Sequence, residues 1–386
     1  MRYTTFGRNN GLRVSEYGLG TANFGTGWRA GGGWGPGAEP AEARKIFDRF
    51  AETGGTLIDT AENYQAGESE QLLGEFLGAD RDHFVLTGKY SMNGVGPLTV
   101  SNTGNSRRNM VQALEASLRR LNTDHLDMYW VHAPDGLTPM EEILRGLDDL
   151  VSAGKIRYFG LSNFPAWQVS RAAAIAELRG WSPVAGIQVE YSLVERTAER
   201  EQLPMAQALG LGAALWSPLG GGLLTGKYRQ RATGRISNLK AVGFFEETAQ
   251  KTAIVNAVVD VAAELDVPAS HVAIAWMRQQ GARAATAYVP IIGPRTVAQL
   301  DDYLDALDVT LTPAQFARLD EVSAIRLGTP HELNAWITGP IRGGDASMID
   351  EPAIPVACSQ AADQFGGHGV ARSRAAWSTL ASGGAS

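Results

Sequence analysis

The side chains of Asp59, Tyr64, Lys89 and His132 are of types that, placed together, could transfer a proton. A tyrosine has a pKa of about 10, too high for easy proton donation at neutral pH, but a neighbouring ammonium stabilises the phenolate and lowers that value. A carboxylate beside Lys89 would hold it charged and in place, and a histidine would orient a carbonyl oxygen or share the proton transfer. The set suits protonation of a carbonyl oxygen while a hydride reaches its carbon. Because no side chain donates hydride, a nicotinamide cofactor is implied.

A second chemical signal is the segment PLGGGLLTGKY, Pro218 to Tyr228. Gly221 and, after four residues, Gly226-Lys227 have the spacing of a nucleotide-binding P-loop, but Tyr228 stands where that motif needs Ser or Thr to ligate Mg²⁺. The polar sequence RQRATGR follows instead of an apolar helix. These departures argue against a nucleotide hydrolase and favour a phosphate cradle of another kind. Near the N-terminus, GLGTANFG does not satisfy G-x-G-x-x-G, so a Rossmann dinucleotide site is not predicted either.

Short apolar runs are predicted to be the strands that position these side chains. They cover residues 17–21, 56–60, 84–89, 126–132, 156–162, 186–191, 213–218 and 288–293. Amphipathic helical segments lie between them, among them AEARKIFDRFAETGG, SEQLLGEFLG, NMVQALEASLRRL, MEEILRGLDDLVSAGK and TVAQLDDYL. This alternation indicates parallel βαβ units, and eight of them predict a closed (β/α)8 TIM barrel. A β-hairpin built from YTTFG and LRVSEYGLG is predicted to precede it.

In such a barrel, functional groups gather where strands end and βα loops begin. Asp59, Lys89 and His132 each end a predicted strand, so they are expected to meet at one end of the barrel with Tyr64 close by. Long first and seventh βα loops are expected at the same end. Residues 1–343 are predicted to form the barrel domain. Residues 344–386, rich in Ala, Gly and Ser, are predicted to be a low-complexity extension that is disordered or loosely packed.

Bulk properties exclude several classes of protein. A net charge of −7 without a basic block argues against nucleic-acid binding, and no apolar run approaches the roughly 18 residues that span a membrane. The N-terminus shows no signal-peptide core, and the single cysteine, Cys358, permits no intrachain disulfide, so a cytoplasmic protein is expected. The six histidines lack metal-ligand spacing, and no metal site is predicted. The oligomeric state is not indicated.

Several segments together resemble the aldo-keto reductase superfamily: LIDTAENYQAGESEQLLGEFL, GLSNF, GIQVEYS, WSPLGGGLLTGKY and PIIGPRTVAQL, in the same order, within roughly residues 17–332. The segment GNSRRNMVQALEASLRRLNTDHLDMYWVH resembles a bacterial branch. The resemblance implies an NADPH-dependent oxidoreductase that reversibly reduces an aldehyde or ketone to an alcohol, with a small-molecule carbonyl or alcohol as substrate. It places the family's catalytic tetrad on Asp59, Tyr64, Lys89 and His132, with Tyr64 as the general acid.

The resemblance also implies the cofactor contacts. They are, in order, the nicotinamide-holding residues Ser162, Asn163, Gln188 and Trp216, the pyrophosphate-holding residues Ser217, Leu219, Gly221 and Lys227, and the adenosine-end residues Arg295 and Gln299. A guanidinium beside the start of the final helix of the barrel is also a good site for a 2′-phosphate, so Arg295 predicts NADPH rather than NADH. Tyr303 stands where many relatives carry Asn, which departs from the family's adenine contact.

Aromatic side chains on loops are the candidates for substrate contact. Bulky rings there would form an apolar cleft for a cyclic or hydrophobic carbonyl compound, or would pack the loops. The candidates are Phe24, Trp28, Trp34, Tyr90 and Trp336. A second hypothesis keeps the fold but makes the protein a cofactor-binding, redox-sensing regulatory subunit with slow turnover. The complete tetrad favours turnover.

Overall fold

The computed structural model describes residues 1–30, 37–230, 246, 248–344 and 349 of the 386 residues. Its centre is a closed barrel of parallel strands, in which each strand pairs with its neighbours in the sequence and the last pairs with the first. The barrel strands are β3 (Gly18–Gly20), β4 (Leu57–Asp59), β5 (Val85–Tyr90), β6 (Leu126–Val131), β7 (Ile156–Ser162), β8 (Val184–Glu190), β9 (Gly212–Trp216) and β10 (Tyr288–Ile292). Every bound lies within two residues of the predicted strand, and the predicted (β/α)8 barrel is confirmed.

A two-stranded hairpin precedes the barrel, as predicted. β1 (Tyr3–Thr5) pairs antiparallel with β2 (Arg13–Ser15). Phe6, at the start of the connection between them, is buried inside the barrel and meets Trp130 of β6 edge to face, with ring centroids 6.1 Å apart. Burial of each large apolar side chain contributes about 1.5–3 kcal/mol. The hairpin therefore supplies part of the barrel's interior core.

Helices surround the barrel and cover the outer faces of the strands. They are α1 (Pro40–Glu52), α2 (Glu68–Leu77), α3 (Arg107–Leu121), α4 (Met140–Ser152), α5 (Ala166–Arg179), α6 (Gln202–Leu209), α7 (Ala249–Leu265), α8 (Ala269–Arg283), α9 (Val297–Asp305), α10 (Pro313–Ser323) and α11 (His331–Ile341). The amphipathic segments named from the sequence correspond to α1 to α4 and α9. No helix in the described part of the chain has the length and apolar content needed to cross a membrane.

The remaining helices have weaker sequence signals, and α8 shows why. Its residues 270–277 are all buried, so it has no polar face over two turns and no amphipathic period. α7 and α8 both lie between β9 and β10, where the barrel plan requires only one helix. Most of the predicted extension, from residue 345 onward except 349, lies outside the described residues.

Candidate active site

A cavity of about 420 Å³ lies at the carboxyl ends of the barrel strands. It is lined by the side chains or backbone of the sequence-predicted residues Asp59, Tyr64, His132, Ser162, Asn163, Gln188, Trp216, Ser217, Leu219, Gly221, Lys227, Arg295 and Gln299. Lys89 lies beneath them, joined to two of them by hydrogen bonds. The structure thus brings the predicted tetrad and the predicted cofactor positions to one connected site.

Lys89 is the buried centre of this site. Its side chain is 0% exposed, and its Nζ donates to Asp59 Oδ2 at 2.5 Å, to the Thr60 carbonyl at 2.8 Å and to Tyr64 Oη at 3.0 Å. Three acceptors match the three protons of an ammonium group. Burial alone lowers the pKa of Lys89, but the charge of Asp59 and the oxygen of Tyr64 outweigh it and raise the pKa above its ordinary value. The group is therefore a cation at neutral pH.

Asp59 is fixed by contacts on both carboxylate oxygens. Oδ2 accepts from Lys89, while Oδ1 accepts from Thr87 Oγ1 at 2.8 Å and from Gln188 Nε2 at 2.9 Å. These partners come from β5 and from β8 across the barrel. A buried ion pair is costly to break because the remaining charge is left unpaired in a low-dielectric interior. Asp59 thus holds both Lys89 and the amide of Gln188 in position.

His132 directly follows β6 and lies beside Tyr64. The two rings meet edge to face, with centroids 6.0 Å apart. Burial, reinforced by the Lys89 cation, holds the pKa of His132 well below its usual value, so the imidazole is neutral at physiological pH. Its Nδ1 is buried and makes no hydrogen bond to a described residue. A neutral imidazole offers one donor and one acceptor, which suits orientation of a carbonyl oxygen.

Tyr64 begins a tight turn, Tyr64–Gly67, that places its ring over the barrel mouth. Gln65 and Ala66 adopt left-handed backbone angles, φ 49° and 56°, each of which costs about 1–3 kcal/mol for a residue other than glycine. The Gln65 side chain secures the turn by donating to the Ala22 carbonyl at 2.9 Å and accepting from the Trp28 amide at 3.1 Å. The first βα loop therefore supports the tyrosine.

The residues predicted to hold a nicotinamide form a second hydrogen-bonded group. Asn163 has φ 61°, its Nδ2 donates to the His132 carbonyl at 2.9 Å, and its Oδ1 accepts from Trp216 Nε1 at 3.2 Å. Ser162 Oγ donates to the Gln188 carbonyl at 3.0 Å. These contacts fix the Trp216 indole at the edge of the cavity, beside the tetrad.

The glycine-rich segment forms a tight turn, Gly220–Thr225, after β9. Gly220 has φ 55°, and a Cβ at this position would lie 2.5 Å from Val194 Cγ2, so only glycine fits. Tyr228 Oη donates to the Gly221 carbonyl at 3.2 Å. The residue that departs from the P-loop motif thus braces the turn. A short 3₁₀ turn at Lys227–Gln230 replaces the α-helix that a P-loop requires.

The end of the cavity opposite the tetrad lies at the start of α9. The Arg295 amide donates to Gln299 Oε1 at 2.9 Å, and Thr296 caps the helix by accepting from the Gln299 amide at 3.2 Å. Tyr303 also lines this end, as does Asp302, which sequence reasoning missed. Asp302 accepts from Ser270 Oγ at 2.7 Å and contacts His271 Nε2 at 3.0 Å. Its only sequence signal is its position three residues after Gln299, nearly one helical turn along α9.

The aromatic residues that were predicted to contact substrate lie in different places in the structure. Phe24 and Tyr90 are 0% exposed and neither lines the cavity, so the structure does not place them where a substrate in the cavity would contact them. Phe24 packs edge to face on Phe76, while Tyr90 stacks on Tyr129, with centroids 5.2 Å apart. Side chains alternate in direction along a strand, so Tyr90 points away from the interior that its neighbour Lys89 faces.

The other aromatic candidates lie elsewhere. Trp28 is nearly buried and packs edge to face on Tyr64, with centroids 6.3 Å apart, so it supports the tyrosine ring without lining the cavity. Trp336 is 57% exposed on α11 and does not line the cavity. Trp34 lies outside the described residues. Asn63 and Met92, which follow or precede the predicted catalytic residues in the chain, also line the cavity.

Comparison with known proteins agrees with this geometry. The profile of the aldo/keto reductase family matches residues 16–324, and the chain belongs to that family. It is 36% identical to a Bacillus subtilis protein, the uncharacterized oxidoreductase YrpG, over 87% of this chain and 100% of that protein. It is 34% identical to the aryl-alcohol dehydrogenase (NADP+) of Phanerodontia chrysosporium, covering 84% and 86% of the two chains. Against the norsolorinic acid reductase of Aspergillus flavus the identity is 31%, covering 90% and 87%.

Family membership and these relatives support an oxidoreductase. Members of the family generally use nicotinamide cofactors. The resemblance of the sequence to the aldo-keto reductases is therefore confirmed.

Proposed function

We propose that this protein is an alcohol:NADP+ oxidoreductase that reversibly reduces an aldehyde or ketone to an alcohol. The observation that carries the proposal is the contact of the Lys89 ammonium with Tyr64 Oη at 3.0 Å, on the floor of a cavity that also holds the predicted cofactor positions. A phenol hydrogen-bonded to a buried cation is an arrangement suited to proton donation. NADPH is the proposed reductant.

The residues present fit a nicotinamide dinucleotide. The cavity continues from the tetrad past Trp216 and the glycine turn to Arg295 at the start of α9. At the turn, Gly220 and its neighbour Gly221 have positive φ values, and Lys227 lines the same wall. Backbone without side chains and a lysine point charge suit a pyrophosphate. When bound, the cofactor would supply or accept the hydride.

The chain's own residues move and stabilise the proton. Tyr64 Oη donates its proton to the carbonyl oxygen of the substrate, and the Lys89 ammonium stabilises the phenolate that remains. Asp59 keeps that ammonium in place through the 2.5 Å contact. His132, held neutral by burial, orients the same carbonyl oxygen by a hydrogen bond. In the oxidative direction, Tyr64 receives the proton from the alcohol.

Arg295 supports the choice of NADPH. Arg295 lines the cavity and directly precedes Thr296, the N-cap of α9. A guanidinium and a helix N-terminus both attract a phosphate, so this end of the cavity suits the 2′-phosphate of NADPH. The name of the Phanerodontia relative specifies NADP+. The same name points to aryl alcohols, so aromatic aldehydes are the first substrate class to examine.

The test is oxidation of NADPH or NADH by the purified full-length protein with a panel of aromatic aldehydes, aliphatic ketones and sugars. We expect turnover with NADPH and aromatic aldehydes. Arg295→Ala should weaken binding of NADPH at least about tenfold more than binding of NADH, because only NADPH carries the 2′-phosphate. Equal weakening of both would remove Arg295 from that role. Slow turnover together with tight cofactor binding and a stable protein partner would favour the regulatory-subunit hypothesis.

A further inference from the structure

Glu62 lies two residues before Tyr64, is only 4% exposed and does not line the cavity. Its backbone amide donates to the Lys89 carbonyl at 3.2 Å. Its carboxyl group reaches further along the same segment, where Oε1 accepts from the Ser91 amide at 3.0 Å and the Met92 amide adds a second hydrogen bond. The segment that carries Tyr64 is therefore joined to the end of β5 twice, by its backbone and by this buried carboxyl group.

Ser91, the first residue after β5, has a backbone conformation that residues other than glycine seldom adopt. Its φ is 127°, in the left-handed region. Three contacts hold it there: its amide donates to Glu62, its Oγ accepts from Asn105 Nδ2 at 2.7 Å, and its carbonyl accepts from the Gly104 amide at 3.0 Å. A strained residue persists only where its surroundings impose the conformation, and Glu62 supplies one of these contacts.

The same hydrogen bonds continue to the loop after β6. Asn105 is fully buried, and its Nδ2 also donates to the Ala133 carbonyl at 3.0 Å. Ala133 directly follows His132 in the chain. A buried row of polar groups, from Glu62 through Ser91 to Asn105, therefore connects the loops that follow β4, β5 and β6.

The contact between Lys89 Nζ and Tyr64 Oη, at 3.0 Å, spans the two segments that Glu62 joins. We propose that Glu62 is a positioning residue: its ionised carboxyl group holds the segment after β5 against the turn of Tyr64, so that Lys89 keeps its contact with the phenol. This inference rests on the proposed carbonyl reduction, in which that contact favours proton donation. A misplacement of about 1 Å can lower a rate about a hundredfold, so a small shift of either segment is enough.

The charge of Glu62 makes this arrangement sensitive to pH. Burial, with a contribution from the charge of Glu70, raises the pKa of Glu62 from 4.5 to about 7, although the amides of the loop and the charge of Arg120 oppose it. A carboxylate binds amides about twice as strongly as a neutral group does, so the hold on the loop is firm above about pH 7 and weaker below it. The titratable or charged groups whose fields reach Glu62 are Glu70 on α2, Arg120 on α3, Tyr90 on β5 and Tyr129 on β6.

The experiment compares the full-length protein with Glu62→Gln and Glu62→Met, which both remove the charge at nearly constant length. Glu62→Met leaves no polar side chain to bury, so it provides a folded variant if the amide of Glu62→Gln is not accommodated. Glu75→Gln, the same type of substitution on the exposed surface of α2, is the control. Thermal unfolding checks that each variant folds. kcat for aldehyde reduction with NADPH is measured at about pH 5.5 and about pH 8.5, on either side of the pKa of Glu62.

A second measurement requires no turnover. The ionisation of Tyr64 is followed by tyrosinate absorbance, as the difference between each protein and the same protein carrying Tyr64→Phe. Loss of the Glu62 charge should shift this ionisation to higher pH, because a longer contact with Lys89 stabilises the phenolate less. Binding of NADPH should not change, because Glu62 does not line the cavity.

We expect wild-type kcat to exceed that of both Glu62 variants about ten- to a hundredfold at about pH 8.5, and the ratio to fall towards unity at about pH 5.5, where Glu62 of the wild type is protonated. Glu70 is retained in every variant, so its own titration affects both sides of the ratio alike. Glu75→Gln should match the wild type in both measurements.

A ratio that is equal at the two pH values, or a Tyr64 ionisation that neither Glu62 variant moves, overturns the inference and leaves the proposed reaction standing. A Tyr64 ionisation that moves to higher pH in the Glu62 variants, with no oxidation of NADPH by any aldehyde, supports the inference and overturns the proposed reaction instead.

Discussion

The buried ammonium of Lys89 determines how the neighbouring side chains behave. It lies between Asp59 and Tyr64, and its charge also contributes to keeping His132 neutral. One cation thus orients a carboxylate, contacts a phenol and adds to the effect of burial that keeps an imidazole neutral. Each of these effects of Lys89 acts on a side chain close to it. The proposed proton transfer can therefore be tested by substituting one side chain at a time.

Tyr64→Phe removes the hydroxyl that would donate the proton while keeping the ring. Loss of a general acid typically lowers the rate by a factor of about 10²–10⁴, so kcat for aldehyde reduction should fall by that amount. NADPH binding, followed by fluorescence titration, should change little, because the hydroxyl is proposed to act on the substrate.

The matched control for this variant is Tyr90→Phe, which removes a buried hydroxyl that donates to the Asn105 carbonyl outside the cavity. This control should retain kcat. Wild-type kcat in Tyr64→Phe would contradict the assignment of the proton donor.

Backbone conformation, more than single side chains, shapes the part of the cavity proposed to hold the cofactor phosphates. The turn after β9 contains consecutive glycines with positive φ and is braced from below by the hydroxyl of Tyr228. Its counterpart at the other end of the cavity is the start of α9, capped by Thr296. Both are features of backbone conformation, so substitutions that alter the backbone should affect cofactor binding more than chemistry.

Gly220→Ala tests the turn. The added Cβ would meet Val194 Cγ2 at 2.5 Å on a backbone with φ 55°, so the turn must shift. The Kd for NADPH should rise about tenfold or more, which corresponds to about 1.4 kcal/mol of lost binding free energy. Gly339→Ala is the control, because its Cβ meets no atom within 4 Å and its φ is not in the left-handed region. An unchanged Kd in Gly220→Ala would show that the turn does not hold the cofactor.

Closure of the barrel brings together residues that are distant in the sequence. Gln188 of β8 contacts Asp59 of β4 across 129 positions of chain. The same closure buries carboxyl groups at the rim. Burial, with a smaller contribution from Glu195 and opposed by Lys251, raises the pKa of Glu190 from 4.5 to about 7. The stability of the whole molecule should therefore depend on pH through this group.

In the folded state Glu190 binds its proton more tightly than in the unfolded state, where its pKa is 4.5. Its contribution to stability is therefore complete below about pH 4.5 and is lost as the pH rises through about 7. Glu190→Gln should unfold at higher denaturant concentration than the wild type at about pH 8, and the difference should shrink towards about pH 5.

Urea denaturation at both pH values measures this difference. A gain in stability that is equal at the two pH values would show that proton binding is not its cause. Glu195→Gln, which removes a neighbouring charge, should give a change of the same sign and smaller size.

Much of the architecture follows from local sequence pattern. The strands from β3 to β10 are apolar runs whose ends could be placed within two residues, and strand ends in a parallel barrel meet on one side. That is why the order of residues along the chain is enough to group Asp59, Lys89 and His132. α8 could not be defined in this way, because burial on every side removes the amphipathic period.

The sequence by itself determined the barrel, the order of its strands and the set of polar groups at their carboxyl ends. The tertiary structure decided which side chains reach the cavity. It buried Phe24 and Tyr90 against other rings and gave Tyr228 a bracing hydrogen bond. Periodicity reports which face of an element is apolar. The direction and partners of a loop side chain depend on contacts with segments far away in the chain, and these exist only once the barrel has closed.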